Sequence, residues 1–309
     1  MIAMTVSLVL LAGVGQIYVS SKQTYRVQDG VSRVQENGRF AIQFLSNDLR
    51  MADFWGCVAN ATEISNDVIG GGGIDIGLGG ISGTDNDGYN GSDTLVLQGA
   101  YGSGIVVEPP FMNTNAAALH VSTQNGLARG DIVMVSDCQS GDVFQITDNN
   151  PNTSGTAAHN SGGAVAPGNS TGNLSKTYAG DAQIYKVRSV SYALGAGSNN
   201  GEPALFRNNG VTNLELADGV ENMQIEYGED TDTEGSAGYG TANYYVPLPN
   251  VTDMERVVSI RISLLMRTYA DNLAPETQTY AYNGANITAG DRRIRQVYTT
   301  TIAIRNRTP

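Results

Sequence analysis

The sequence holds 309 residues, 16% of them charged, with 38 Gly, 9 Pro and 2 Cys and a formal net charge of -12. A chain this long buries a substantial core, and acidity of this size repels polyanions, which removes global charge as a basis for nucleic-acid binding. Two cysteines outside any CxxC, with only His120 and His159 as nitrogen companions, are too few for a structural zinc cluster.

Met1 to Val19 reads MIAMTVSLVLLAGVGQIYV and carries no charge. As helix it measures about 28 Å against a bilayer core of roughly 30 Å, so residues 1–19 are expected to span a membrane or nearly so. No basic segment precedes the run and it passes directly into SSKQTYRVQ, so it reads as a retained segment rather than a cleaved signal peptide. Gly13 and Gly15 mark either a point of easy bending or close packing against another helix.

From Lys22 the helix is expected to continue without a break. Val27, Val31, Val34, Gly38, Ala41, Leu45 and Leu49 recur at steps of three and four, with Arg26, Arg33, Glu36, Arg39, Asp48 and Arg50 largely between them. The spacing predicts one rod of roughly 50 residues, about 75 Å long, apolar all round at first and then on one side. Its valine, alanine and leucine stripe (Val27, Val31, Val34, Ala41, Leu45, Leu49) would cover a sheet.

Beyond Cys57, strands are expected at Asp93 to Gln98, Asp131 to Ser136, Ala182 to Leu194, Gly219 to Tyr227, Glu255 to Arg267 and Val297 to Arg305. In the fifth, Val258, Ile260, Ile262 and Leu264 alternate with Ser259, Arg261 and Ser263, the period of a strand with one buried face. SVSYAL and PALFRNNG are expected to form a hairpin. Residues 69–91 and 149–173, rich in Gly, Asn, Ser and Thr, read as surface loops. The division is thus a helix at 1–52 (1–19 apolar, 20–52 amphipathic) and a mainly β domain at 53–309.

Cys57 and Cys138 fit either one disulfide or two buried thiols. The disulfide is the simpler reading, closing a loop of about 80 residues worth roughly 4 kcal/mol and implying an oxidising compartment. Asp230, Asp232 and Glu234 occupy positions 1, 3 and 5 of a calcium-loop pattern with Gly235 at 6, but Thr241 stands where the pattern needs Glu, so calcium competes with a plain solvated turn. Asp85, Asn86, Asp87 and Asp93 form a weaker cluster of the same kind. Otherwise no cofactor is expected: Gly70 to Gly73 completes no nucleotide loop, no Ser sits in GxSxG, and the histidines lie outside HExxH and read as surface or loop residues. Arg292, Arg293, Arg295, Arg305 and Arg307 gather near the C-terminus, as a basic edge or as alternating strand-face charges.

Arg33 to Cys57, RVQENGRFAIQFLSNDLRMADFWGC, resembles the signature of the PilW-type minor pilins of type IV pili. The resemblance continues in LARGDIVMVSDC (Leu127 to Cys138), GVENMQIEYGEDTD (Gly219 to Asp232), VVSIRISLLMR (Val257 to Arg267) and TTTIAIRNRTP (Thr299 to Pro309). It implies an α+β, pilin-like fold in which a long N-terminal helix packs on an antiparallel sheet domain with long loops. It maps the family's paired cysteines onto Cys57 and Cys138. It further implies a non-enzymatic subunit that helps prime pilus assembly at the tip, in support of adhesion and twitching motility. The subunit would be held in the bacterial inner membrane before assembly and then stand in the periplasm and at the cell surface. Met4, Leu8, Leu11 and Val14 would form the assembly interface with other major and minor pilins, a tip adhesin would be a further partner, and nucleic acid is disfavoured. The family's leader, cleavage site and early glutamate are expected upstream of Met1, so no residue here takes those roles. A fibre-forming subunit, a minor pseudopilin of type II secretion and, from another class, a membrane-anchored periplasmic enzyme are the alternatives.

Overall fold

The computed structural model describes residues 2–58, 61–76, 79–163 and 165–307, apart from the side chains of residues 2, 5, 6, 9 and 61. It is an α+β fold built on one long helix. Helix α1 (Ile2–Arg50) runs unbroken through Gly13 and Gly15, since no proline interrupts it and its second half is held by packing. The strands follow in chain order: β1 (Ile64–Asn66), β2 (Ile81–Thr84), β3 (Thr94–Val106), β4 (Leu119–His120), β5 (Ile132–Ser136), β6 (Gly141–Gln145), β7 (Thr156–Ala157) and β8 (Gln183–Ala196). Then come β9 (Pro203–Asn208), β10 (Asn213–Asp218), β11 (Val220–Glu229), β12 (Tyr244–Val246), β13 (Val257–Arg267), β14 (Thr279–Tyr282), β15 (Ala285–Thr288) and β16 (Arg295–Ala303).

The first sheet is ordered β1-β6-β5-β8-β3-β2, with β9 also paired to β8 and β10 to β9. Its spine is β8, which faces β3 along one edge and shares the other between β5 and β9. The expected hairpin is the β8–β9 pair, with Ser191 opposite Asn208 and Ala196 opposite Pro203. The second sheet is antiparallel, ordered β12-β11-β13-β16, and Ile225 stands opposite Ile262 at its centre.

Both sheets close on α1. Val34, Ala41, Leu45 and Leu49 share one core with Tyr192 and Leu205 of the first sheet and with Met223, Ile260, Ile262 and Ile302 of the second. Leu45 and Leu49 are fully buried, while Val27 and Val31 are half-buried, so the stripe engages progressively toward the helix C-terminus. Gly38 lets the helix approach β16: a Cβ there would stand 2.7 Å from Cε2 of Tyr298. Gly38→Ala should therefore destabilise the protein, the ring displacement costing about 1–3 kcal/mol and the gain in helix propensity returning up to about 1 kcal/mol. Denaturant titration reads the difference.

A second core lies away from the helix, around Leu119, Val133, Phe144, Ile146 and Ile184. The two segments expected to be surface loops belong largely to the fold. Ile74, Ile76 and Ile81 are buried, and buried Asn169 accepts from the Gln145 amide at 2.7 Å while donating to the Gln145 carbonyl at 2.8 Å. Amide hydrogen bonding, which hydropathy does not register, holds segments that contain few apolar residues.

Candidate assembly interface and its anchorage

The leading part of α1, up to Val19, stands exposed. Met4, Leu8, Leu11 and Val14 are 79%, 71%, 71% and 63% exposed, and Leu10, Ile17, Tyr18 and Val19 are exposed as well. Contiguous exposed apolar surface on this scale marks a site of association. Among the described residues, however, no helix is long and apolar enough to cross a membrane. The span expected at residues 1–19 includes five positions whose side chains lie outside the description, and Ser7, Gly13, Gly15 and Gln16 dilute the apolar character of the rest.

Where α1 ends, three devices fix it to the head. Cys57 and Cys138 form a disulfide with a Cα–Cα distance of 4.6 Å, tying the helix exit to the β5–β6 turn. Asp53 accepts from Arg307 Nε at 2.6 Å and from the Trp55 indole at 2.7 Å, and Asn306 Nδ2 donates to the Ala52 carbonyl at 2.8 Å. Burial pushes the Asp53 carboxyl upward despite the guanidinium beside it. The third device is Asp48, which the sequence reading placed among the polar positions between the stripe residues. Its carboxylate accepts from Arg207 Nε at 2.7 Å, Tyr192 Oη at 2.6 Å and Arg188 at 3.3 Å, so one helix residue grips β8 and β9. Burial and the neighbouring Asp48 charge raise the Tyr192 phenol well above its ordinary range, keeping it a donor.

The acidic loop does not assemble into a cation cage. Asp230 accepts from the amides of Asp232 and Gly240, Asp232 accepts from Asn243, and Glu234 is exposed. Neighbouring Glu229 is buried, yet Thr252, Tyr244 and the Asp253 amide hold its carboxyl below the usual range. Among the described residues no group of three or more His, Cys, Asp or Glu is placed to hold a metal ion. In the other cluster, buried Asp93 accepts from the amides of Asn86 and Ile225, joining β3 to β11. The carboxylates that suggested calcium are thus largely engaged by the protein's own donors.

Three of the five arginines of the expected basic edge are spent in internal ion pairs, and Arg292 donates to the Asn272 side chain. Arg295 pairs with Glu221 and Asp291, Arg293 with Glu202, and Arg307 with Asp53, each within 3.0 Å. The surface reading of His159 is also corrected: it is buried, donates from Nε2 to the Ala117 carbonyl at 3.0 Å, and burial lowers its pKa so that it stays neutral.

Asp67 is the least comfortable acid in the head. It is buried, its Oδ2 has no hydrogen-bond partner, and burial followed by the nearby Asp142 charge raises its pKa. A carboxyl whose folded pKa exceeds its unfolded value stabilises the fold relative to neutral pH only in acid, and that contribution is lost as pH rises through the folded pKa. Asp67→Asn should therefore raise the melting temperature at pH 7 and leave it nearly unchanged below pH of about 4, which paired thermal scans would read.

Residues 191–306 match the family described as Type IV Pilus-assembly protein W. The C-terminal part of the head is thus similar to the PilW family. The matched stretch contains β11, β13 and β16, whereas the PilW-like motifs at Arg33 to Cys57 and Leu127 to Cys138 lie before it. Comparison with curated proteins gave no match. Among solved structures, a type IV-like pilin from Thermus thermophilus is similar at 13% identity and a TM-score of 0.32, covering 92% of this chain and 98% of that one. The family match supports a type IV pilus-related role.

Proposed function

We propose that this chain is a minor pilin that works by packing rather than catalysis, taking part in pilus assembly and priming at the tip. The observation that carries the reading is the division of α1: one helix buries Val34, Ala41, Leu45 and Leu49 against two sheets and presents bare apolar side chains at Met4, Leu8, Leu10, Leu11, Val14 and Ile17. An apolar rod held out from a folded head needs an apolar host. The inner membrane serves before assembly and the helices of other major and minor pilins serve afterwards, so transfer between the two need not expose the rod to water. A tip adhesin would contact the head. The periplasm and cell surface, as sites of assembly and display, suit the disulfide.

The test is Leu11→Lys. A charge in the middle of the apolar host should disfavour insertion by roughly 3 kcal/mol while leaving the head untouched, because Leu11 contacts no part of it. Membrane retention and incorporation into sheared pili should both fall, with the melting temperature of the head unchanged. Normal incorporation would refute the reading.

A further inference from the structure

The second sheet ends on β16, and the outer edge of that strand is bare. Across the β13–β16 ladder Ile260 stands opposite Ile302, the Ile304 amide donates to the Val258 carbonyl at 2.9 Å, and the Thr268 amide donates to the Ile294 carbonyl at 2.9 Å. With no bulge between, the even-numbered residues of β16 face β13 and the odd-numbered ones turn their N–H and C=O groups outward. At Arg295 those two groups are capped by the Gln278 side chain, which accepts from the amide at 2.7 Å and donates to the carbonyl at 2.9 Å. At Val297, Thr299, Thr301 and Ala303 they have no partner among the described residues, and the last three of these are exposed. Gln296 to Ala303 contains no charged residue, proline or glycine. The other edges of the two large sheets are guarded or short: β10 bears Glu215, Asp218 and a bulge, β2 has four residues, and β1 and β12 have three each. Natural sheets blunt a long free edge, so one left open and uncharged marks a strand that another chain completes.

We propose that β16 is a docking edge for an extended segment of a partner protein, which joins the four strands of the second sheet as one more. The occupant follows from the hydrogen bonds on offer and from the two faces beside them. Gln278 already satisfies Arg295 as a strand would, with one acceptor and one donor, and an extended backbone continues that pattern along the outward-facing residues that follow. Tyr298 and Ile302 pack into the core under α1, whereas Thr299 and Thr301 lie on the opposite, exposed face. The segment therefore carries apolar residues on one side, small or polar ones on the other, and no run of charge. A second copy of this chain is the wrong occupant. The two-fold axis that paired β16 with itself would stand normal to the sheet and turn the two rods in opposite directions, so that neither one membrane nor one filament could hold both. That exclusion rests on the assembly reading above; the open ladder does not.

The experiment uses the full chain in its native cells, with benzoylphenylalanine replacing Thr299 or, as a rod control, Leu8. Illumination should cross-link position 299 to a peptide of another protein in which apolar and polar residues alternate. Thr301→Pro removes one outward N–H without touching a bond to β13, and Thr301→Lys sets a charge on the edge. Each should cut the yield from position 299 by about tenfold, while Thr301→Val, which keeps the N–H, leaves it unchanged and the yield from position 8 stays constant. The melting temperature of the head should hold in Thr301→Lys, which separates loss of docking from loss of fold. No product from position 299, or a yield there indifferent to both the Pro and the Lys variants, would overturn the docking edge and leave the assembly reading standing. A product with this chain itself would overturn the choice of occupant and the assembly reading that excludes a second copy. The expected product from position 299 with none from position 8 would support the edge and overturn the assembly reading.

Discussion

Replacing Cys57 and Cys138 together by Ala is expected to destabilise the head by about 4 kcal/mol. The bridge joins positions 81 residues apart, and a closed loop of that size removes much of the conformational freedom of the unfolded chain. It also acts locally, because residues 51–58 have no regular structure of their own and are held on the first sheet by this link and by backbone hydrogen bonds of Asp53 and Phe54 to β3. The measurement is a set of three denaturant titrations, the double variant in buffer and the unaltered protein with and without reductant. Reduced protein should behave like the double variant. A loss below about 1 kcal/mol would mean that the bridge adds little to the salt-linked junction.

Asp48→Ala should cost about 3–5 kcal/mol, more than a surface ion pair could, because it strands two guanidinium groups and a phenol that are largely shielded from water. The side chains of Asp48 and Arg207 are 14% and 18% exposed. The loss comes chiefly from the partners left behind, so Asp48→Ala with Arg207→Ala should cost less than the sum of the two single changes, and that shortfall is the measured coupling. Asp48→Asn, able to accept from Tyr192 but without charge, should fall between. If the helix exit loosens as expected, amide exchange in residues 45–52 should accelerate in Asp48→Ala while the second core, around Phe144 and Ile184, keeps its protection.

The helix was legible because two patterns meet in it, a charge-free run up to Val19 and a three-four apolar stripe afterwards, and they translate into exposure and burial respectively. The long central strands were legible for the same reason, since β3, β5, β8, β11, β13 and β16 each carry enough β-branched and apolar residues to announce themselves. The β14–β15 hairpin carried a signal that went unread. Asn283 and Gly284 take φ of 48° and 73° between Tyr282 and Ala285, the Asn-Gly turn that joins two strands by two residues. By contrast, β1 pairs parallel with β6, Ile64 opposite Gly141, and nothing local in ISN or GDVFQ specifies a partner that far along the chain. Asp48 was hidden for a related reason. A charge on an amphipathic helix reads as solvent-facing unless the arginines it will meet, here 140 and 159 residues away, are known to converge on it. The arginines near the C-terminus posed the converse problem, a charge cluster along the chain of which the fold pairs Arg293, Arg295 and Arg307 with separate carboxylates.

Arg307 meets Asp53 across 254 positions of sequence, and Asn306 reaches the carbonyl of Ala52 over the same interval. The Asp53 clasp therefore closes only after β16 has been laid beside β13, later than the disulfide and the Asp48 grip on β8 and β9. Until then the emerging helix is tethered to an unfinished domain. A nascent subunit thus has its greasy lever first, then a partial fulcrum at Asp48 and Cys57, and the last clamp only when Asn306 and Arg307 arrive.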